Sequence, residues 1–459
     1  MNNVNFLRSV LGVPLLLCAF IPASTHADEI DPMGKVGQWA QDISELTGRR
    51  LNVSGYINAH YMNHDGMPVF TDKNLNKSLF QMRELSLFAD MVITDNLLFS
   101  TELEVSYDLS SKSTSGRKDR LEALLNYYYL DYDISSSFGW DTDKYGELGL
   151  RGGRILVPFL AYNENKPNFK QNLMSQPFTA WQIAPVNTVP DHATQFGWTD
   201  TGVQANYHYI FGTTGILDAK LAVINGLSSD EEVFDHDTVQ LDPPGAMNPT
   251  VRPRSGMGEG HSEWDDFKDN NDNKAFVAKL SFVPFALPID VGVSWYKGKW
   301  DNNDDKDLTM YGVHMSYTKK DWSIKGEYAI ADVEQEAGIN IVTEPGPAAV
   351  NTSTGDYHMK AWYLEGAYIP FRYGVGNKHY LKLIARYDDV DTNDKATFTP
   401  FDRSRVTLGA EWEFLNNVRL RYETQRSTID SFDLAPAPYV AAGGKEHIYM
   451  NMISLIAEF

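Results

Sequence analysis

The sequence predicts an all-β protein: a 16-stranded antiparallel transmembrane up-and-down β-barrel with a short N-terminal periplasmic helix. Three observations carry that expectation. Sixteen segments alternate apolar and polar side chains with a period of two, the mark of strands with one dry and one wet face. The connections between them are alternately long and short, as in a meander threaded through a bilayer. No apolar run of 18 residues follows residue 30, which excludes helical spans. The mean hydropathy of −0.36 and net charge of −21 would otherwise describe an acidic soluble protein.

Residues 1–27 read as a secretory signal peptide. Arg8 supplies the basic start, the apolar stretch from Val10 to Ile21 is broken by Pro14, and Thr25-His26-Ala27 offers small residues before Asp28. Cleavage near Ala27 removes Cys18, the only cysteine, so the mature chain has no disulfide and no thiol nucleophile. Leu17 stands where a lipoprotein signal would carry a small residue, so lipidation of Cys18 is not expected. Residues 28–49 form a periplasmic leader, in which Val36, Trp39, Ile43 and Leu46 recur at helical spacing up to Gly48.

Residues 50–459 form the barrel. Strands are expected at 50–63, 80–93, 97–109, 120–134, 145–160, 195–212, 215–227, 273–285, 288–300, 308–319, 322–334, 357–371, 379–392, 403–416, 417–430 and 447–459. The alternation is plain where Val406, Leu408, Ala410, Trp412 and Phe414 interleave with Arg405, Thr407, Gly409, Glu411 and Glu413. Soluble strands cluster near about 5–6 residues, whereas tilted strands in a bilayer need about 9–11 plus extensions. Short links such as Thr94-Asp95-Asn96, Lys319-Lys320-Asp321 and Asn416-Asn417 alternate with long ones at 64–79, 109–119, 161–194, 228–272, 301–307, 335–356, 393–402 and 431–446. Eight long and seven short connections place both chain ends on the periplasmic side. Tyr and Trp gather near strand ends, as at Trp295, Trp300, Trp322, Tyr368 and Trp412, which suits a membrane interface. The terminal strand closes on Phe459, the form of an insertion signal for the barrel assembly machinery.

Strand number sets the bore, and sixteen strands leave an aqueous channel unless something fills it. The leader is too short for a plug, so the narrowing element is expected in the connection 161–194, whose candidate constriction residues are Glu164, Lys166, Lys170 and Asp191. The strand entering it reads Leu150-Arg151-Gly152-Gly153-Arg154-Ile155-Leu156-Val157-Pro158-Phe159, followed by Tyr162-Asn163-Glu164, and Leu221 to Leu227 follows two strands later. These stretches resemble the phosphate-selective porin superfamily. The resemblance implies a homotrimeric Gram-negative outer-membrane channel whose third loop folds into the lumen.

Selective members of that family use a ladder of basic residues, and here the wall departs from it. Alternation places Arg151, Lys220, Lys279, Lys325, Lys382, Arg386, Arg405, Arg419 and Arg421 inward. The same rule places Glu84, Asp90, Glu102, Glu104, Asp218, Glu327, Glu365, Asp388, Glu411, Glu413 and Glu423 beside them. A mixed wall suits passive diffusion of ions and small hydrophilic solutes. The alternatives are an anion or phosphate filter built on Arg151, Arg154 and Arg386, and a scaffold barrel around a periplasmic electron carrier. Arg154 has the parity of Leu148 and Leu150, so a bulge near Gly152-Gly153 is expected to turn it inward to the pore.

Much of the acid lies in 228–272, an external surface expected to face lipopolysaccharide. Asp269-Asn270-Asn271-Asp272-Asn273 has oxygen ligands but lacks the glycine and closing glutamate of an EF-hand, so no metal is expected. No cofactor, nucleic-acid or catalytic motif is present, and His314 and His358 lie on strands with no serine constellation evident nearby.

Overall fold

The computed structural model describes residues 50–459 except 66–77, 109–119, 166–169, 182–197, 228–271, 301–303, 335–336, 343–348, 355, 375, 377, 392–393, 395–401 and 435–440. The signal peptide, the leader, Lys166, Asp191 and nearly all of the acidic loop therefore lie outside the described residues.

The chain forms one closed antiparallel barrel of sixteen strands. In chain order the first strands are β1 (Leu51–Asp65), β2 (Ser78–Thr94), β3 (Leu97–Asp108), β4 (Arg120–Asp133), β5 (Glu147–Leu156), β6 (Thr199–Phe211), β7 (Gly215–Ile224), β8 (Ala275–Pro284) and β9 (Ile289–Lys299). Then come β10 (Asp307–Lys319), β11 (Trp322–Val333), β12 (Ala337–Val342), β13 (Ala349–Thr354), β14 (Tyr357–Tyr373), β15 (His379–Asp391), β16 (Asp402–Leu415), β17 (Val418–Leu434) and β18 (Ala441–Glu458). Each of the sixteen expected segments is a barrel strand. The two strands not expected, β12 and β13, pair only with each other, as a hairpin standing in the long connection 335–356. The connection 135–144 is long for its side because two one-turn helices, Ile134–Ser137 and Thr142–Tyr145, fill it. The first is capped by the Asp133 carboxylate, which accepts from Ser136 N–H at 3.0 Å.

Closure is made by β1 and β18, whose pairing runs from Tyr56↔Glu458 to Asp65↔Tyr449. At the seam Gly55 and the terminal Phe459 exchange both backbone hydrogen bonds, at 3.0 and 2.9 Å. A Cβ on Gly55 would lie 2.4 Å from the Ser86 carbonyl oxygen and 2.7 Å from the Phe459 ring, so this crossing requires glycine.

The pleat then sorts the side chains. Leu221, Phe276, Leu364 and Leu408 point outward and are more than half exposed, an apolar face turned to the surroundings. Exposed Tyr132, Phe211, Phe285, Trp322, Phe371 and Trp412 all lie beside the short turns, forming an aromatic rim at that end. The inward face is divided. Toward the long loops, Ile155 of β5 with Ile224, Val277, Tyr296, Met310, Ala331, Met359 and Val390 forms a buried apolar cluster with Val157, Phe159, Leu160 and Phe178 of the connection after β5. Apolar side chains fill that end of the inner wall on the β7–β15 side. Near mid-strand and toward the short turns most inward residues are polar or charged, with Ala367, Ile384, Met452 and Ile456 as apolar exceptions.

Candidate functional site

The described part of the connection after β5, residues 157–165 and 170–181, turns into the barrel and bonds to the inner wall near mid-strand. Its first anchor is Leu160 N–H, which donates to Ser294 Oγ at 3.0 Å, while Lys279 Nζ donates to the Leu160 carbonyl at 2.7 Å. The second is Glu327 on β11, 5% exposed, which accepts from Ala161 N–H at 2.8 Å, Tyr162 N–H at 2.7 Å and Thr179 Oγ1 at 2.9 Å. Farther along, Asn172 donates to Glu365 on β14 at 2.8 Å, and Lys382 on β15 donates to Asn172 Oδ1 at 3.2 Å. Glu423 on β17 accepts from Met174 N–H at 2.7 Å and Ser175 N–H at 3.3 Å. Arg386 on β15 donates to the Ser175 carbonyl at 2.9 Å, Ser175 Oγ at 2.7 Å and the Gln176 carbonyl at 3.2 Å. Asp388 accepts from Phe178 N–H at 3.3 Å.

The logic is that of a helix cap extended to a loop. Irregular backbone carries unpaired N–H and C=O groups, and burying them without partners costs about 1–3 kcal/mol each. The wall supplies carboxylates where the loop presents N–H groups and guanidinium where it presents carbonyls. Several charges of this wall are thereby spent on holding the loop.

Glu164, in a single 3-10 turn (Asn163–Asn165), forms ion pairs with Lys220 on β7 and Lys279 on β8. Burial raises its carboxyl pKa, but the two ammonium groups outweigh burial and hold it below the ordinary glutamate value.

The remaining candidates fall into three groups. Around β15–β17, Lys382 meets Glu411 at 2.9 Å, Arg421 pairs with Glu411 and donates to the Gln171 carbonyl, and Arg405 lies 3.2 Å from Asp388 and 4.5 Å from the Phe178 ring centre. Arg419 pairs with Glu458 beside the short turns. On the β3 wall Glu102 and Glu104 point inward and are buried, with Glu102 accepting from Asn126 at 2.8 Å. Arg151 also points inward, but Asp131 holds it at 2.6 Å and its guanidinium stacks 4.0 Å over Tyr129.

Arg154 departs from the expectation. No register shift occurs on β5; Arg154 pairs with Tyr128 and Thr201, and Thr201 is exposed on the outer face. Its Nε donates to Thr199 Oγ1, on the same face, at 3.0 Å. Gly153 adopts φ +136°, yet the ladder continues through it without an extra residue, so Arg154 keeps the parity of Leu148 and Leu150, and it is buried there at 8% exposure. A serine does stand near His314: Ser281 Oγ lies 3.4 Å from Nε2. Asp290 approaches that same nitrogen at 3.7 Å, while Nδ1 has no partner among the described residues, so the acid does not orient the ring from its far side as a triad requires.

Between the loop and the wall is a polar cavity of about 420 Å³ on the short-turn side, lined by Lys170, Gln171, Asn172, Lys325, Glu327 and Lys382 among others. Lys170 is exposed there, and Lys325 is bonded to Gln171 Oε1 at 3.1 Å and lies 3.3 Å from Glu365. Among the described residues no group of three or more His, Cys, Asp or Glu is placed to hold a metal ion.

Glu327, Glu365, Asp388 and Glu423 were legible in the sequence as inward acids, but not as anchors for the loop. Alternation says which way a side chain points, and nothing local says what it meets.

No family model matches the chain. An uncharacterized protein of Aquifex aeolicus (strain VF5) is 24% identical over 375 residues, which cover 79% of this chain and 71% of that protein. Among solved structures, the outer membrane channel DcaP of Acinetobacter baumannii is similar with a TM-score of 0.49 and 12% identity, over 89% of this chain and 97% of that one. OmpF of Salmonella typhi, in complex with daunomycin, has a TM-score of 0.48 at 9% identity, over 89% and 97% of the two chains. The anion-selective porin from Comamonas acidovorans has a TM-score of 0.45 at 12% identity, over 89% and 99%.

Proposed function

We propose that this chain is a bacterial outer-membrane channel of the porin type, passing ions and small hydrophilic solutes by passive diffusion through a pore narrowed by the loop after β5. The observation that carries the reading is the loop itself, bonded across the lumen near mid-strand to β7, β8, β9, β11, β14, β15 and β17. A barrel of this strand number has room for water beside such a loop. The outward apolar face and the aromatic rim suit contact with lipid, with the short turns toward the periplasm.

Selectivity is weak in this reading. Arg151 and Arg386 are neutralised by Asp131 and Asp388, and Arg154 keeps the parity of Leu148 and Leu150, so the three do not combine as an anion filter. The homotrimer, export through a signal peptide ending near Ala27, contact with lipopolysaccharide and recognition of Phe459 by the assembly machinery belong to the same proposal.

The test is single-channel recording of the purified full chain in planar bilayers, in KCl and then in phosphate. Stepwise ohmic conductance with a small reversal potential in a salt gradient is expected. Absence of conductance from the folded barrel would overturn the channel reading. Strong anion selectivity, abolished by Arg386→Ala, would replace it with the filter.

A further inference from the structure

The inner wall holds a methionine cluster that the channel reading does not use. Met62 on β1, Met450 and Met452 on β18, and Met174 on the inward loop pack together with each no more than 6% exposed. Met62 and Met452 are directly paired across the barrel seam, a relation that sets Cβ atoms about 4.5–5.5 Å apart. Met450 lies two residues from Met452 on the same inward face, and Met174 is set over them by its N–H bond to Glu423, the register partner of Met452. Each of the four side chains is a thioether, although the apolar cluster toward the long loops uses Ile, Val, Ala, Leu, Phe, Tyr, Trp and Met together. The neighbouring inward positions on these strands are polar: Asn58, His60 and Ser454.

Packing alone asks for apolar volume, which leucine or isoleucine fills with less rotamer freedom than methionine. Four thioethers converging from three chain segments are instead a soft donor set. Thioether sulfur selects soft monovalent metal ions, Cu(I) and its analogue Ag(I), over Na⁺, K⁺, Mg²⁺ and Ca²⁺, which prefer oxygen. It also needs no deprotonation, unlike Cys or His, so such a site holds its ligands ready at any pH.

We propose that Met62, Met174, Met450 and Met452 form a binding site for a soft monovalent metal cation of the Cu(I)/Ag(I) class on the lumen wall. The site ties the inward loop to the seam of the barrel, so an occupying ion would cross-link the two.

The experiment uses the full chain, purified in detergent and titrated with silver nitrate in chloride-free buffer. Calorimetry gives the stoichiometry, and X-ray absorption at the silver edge gives the donor atoms. One silver ion per chain with sulfur scatterers is expected. Affinity should fall by about tenfold or more in Met174→Leu and again in Met174→Leu/Met452→Leu, while Met310→Leu, in the other cluster, leaves it unchanged. Methionine-methyl labelling of the unmodified protein gives a readout independent of any variant: silver should shift the four resonances of this cluster first. No binding, silver held without sulfur, unaltered affinity in the double variant, or first shifts at methionines elsewhere would overturn the proposal.

Discussion

Replacing Glu327 by alanine removes the acceptor for three loop donors at once: Ala161 N–H, Tyr162 N–H and Thr179 Oγ1. A hydrogen bond to a charged acceptor contributes about 1.5–3 kcal/mol net. The three share one carboxylate and are not additive, so about 3–4 kcal/mol is the expected loss, or a rise of several hundredfold in the detached population of this part of the loop. Hydrogen exchange reads that population directly, because the Ala161 and Tyr162 amides exchange when the anchor opens. The amides of Met174 and Ser175, held by Glu423, serve as an internal control. Glu327→Ala should speed exchange at the first pair by about two orders of magnitude, leave the second pair within tenfold of wild type, and make the open-channel current noisier. Glu327→Gln, which keeps one acceptor oxygen, should fall between. Unchanged protection at Ala161 and Tyr162 in a folded Glu327→Ala barrel would refute the claim that this carboxylate holds the loop.

Three further outcomes follow from the same contacts. Arg386→Ala removes the donor to Ser175 and Gln176 and leaves Asp388 with Arg405 and Glu365 with Lys325 as their remaining cations, so denaturant unfolding should show a loss of about 2–4 kcal/mol, chiefly from the lost charge-assisted hydrogen bonds; a change below about 1 kcal/mol would contradict the anchoring role. Glu164 has a carboxyl pKa depressed in the folded state, so its ion pairs contribute fully above the unfolded value of about 4.3 and are lost as pH falls through the folded value. Thermal melts of Glu164→Gln should therefore lie below wild type from neutral pH down to mild acid and converge with it in stronger acid; a gap that widened on acidification would reverse the sign. Gly55→Val should prevent clean closure of β1 on β18, seen as loss of the heat-resistant folded band on gels, because its Cβ has no room beside Ser86 and Phe459; normal folding of that variant would show that the seam tolerates a shift.

How much of this was present in the one-dimensional chain differs from element to element. Strand existence, order and facing are local matters: a pleated strand turns alternate side chains to opposite faces, so Val406 to Phe414 announce a strand and its outer side by themselves. The hairpin of β12 and β13 was hidden because each strand has only six residues and the pair touches no other strand. Arg154 was misplaced because a Gly-Gly step permits a bulge without requiring one, and only the continuous ladder from Glu147↔His208 to Leu156↔Thr199 settles the parity.

By itself, then, the sequence determined a closed sheet of sixteen strands, the division into long and short connections, and many of the charges that share the inward parity, though Asp200 and Arg403, also buried on that face, were not among them. The tertiary structure decided which partner each of those charges meets. Glu164 meets Lys279 across 115 positions of chain and Glu423 meets Met174 across 249. Those meetings depend on the register of every strand between them and on where a loop without periodicity comes to rest. It also decided that the long-loop end of the inward face on the β7–β15 side is packed with apolar side chains, where the root of the loop meets Tyr296, Met310 and Met359. Alternation is a property of neighbouring residues, whereas pairing inside a barrel is a property of the closed ring, and no short stretch of sequence carries it.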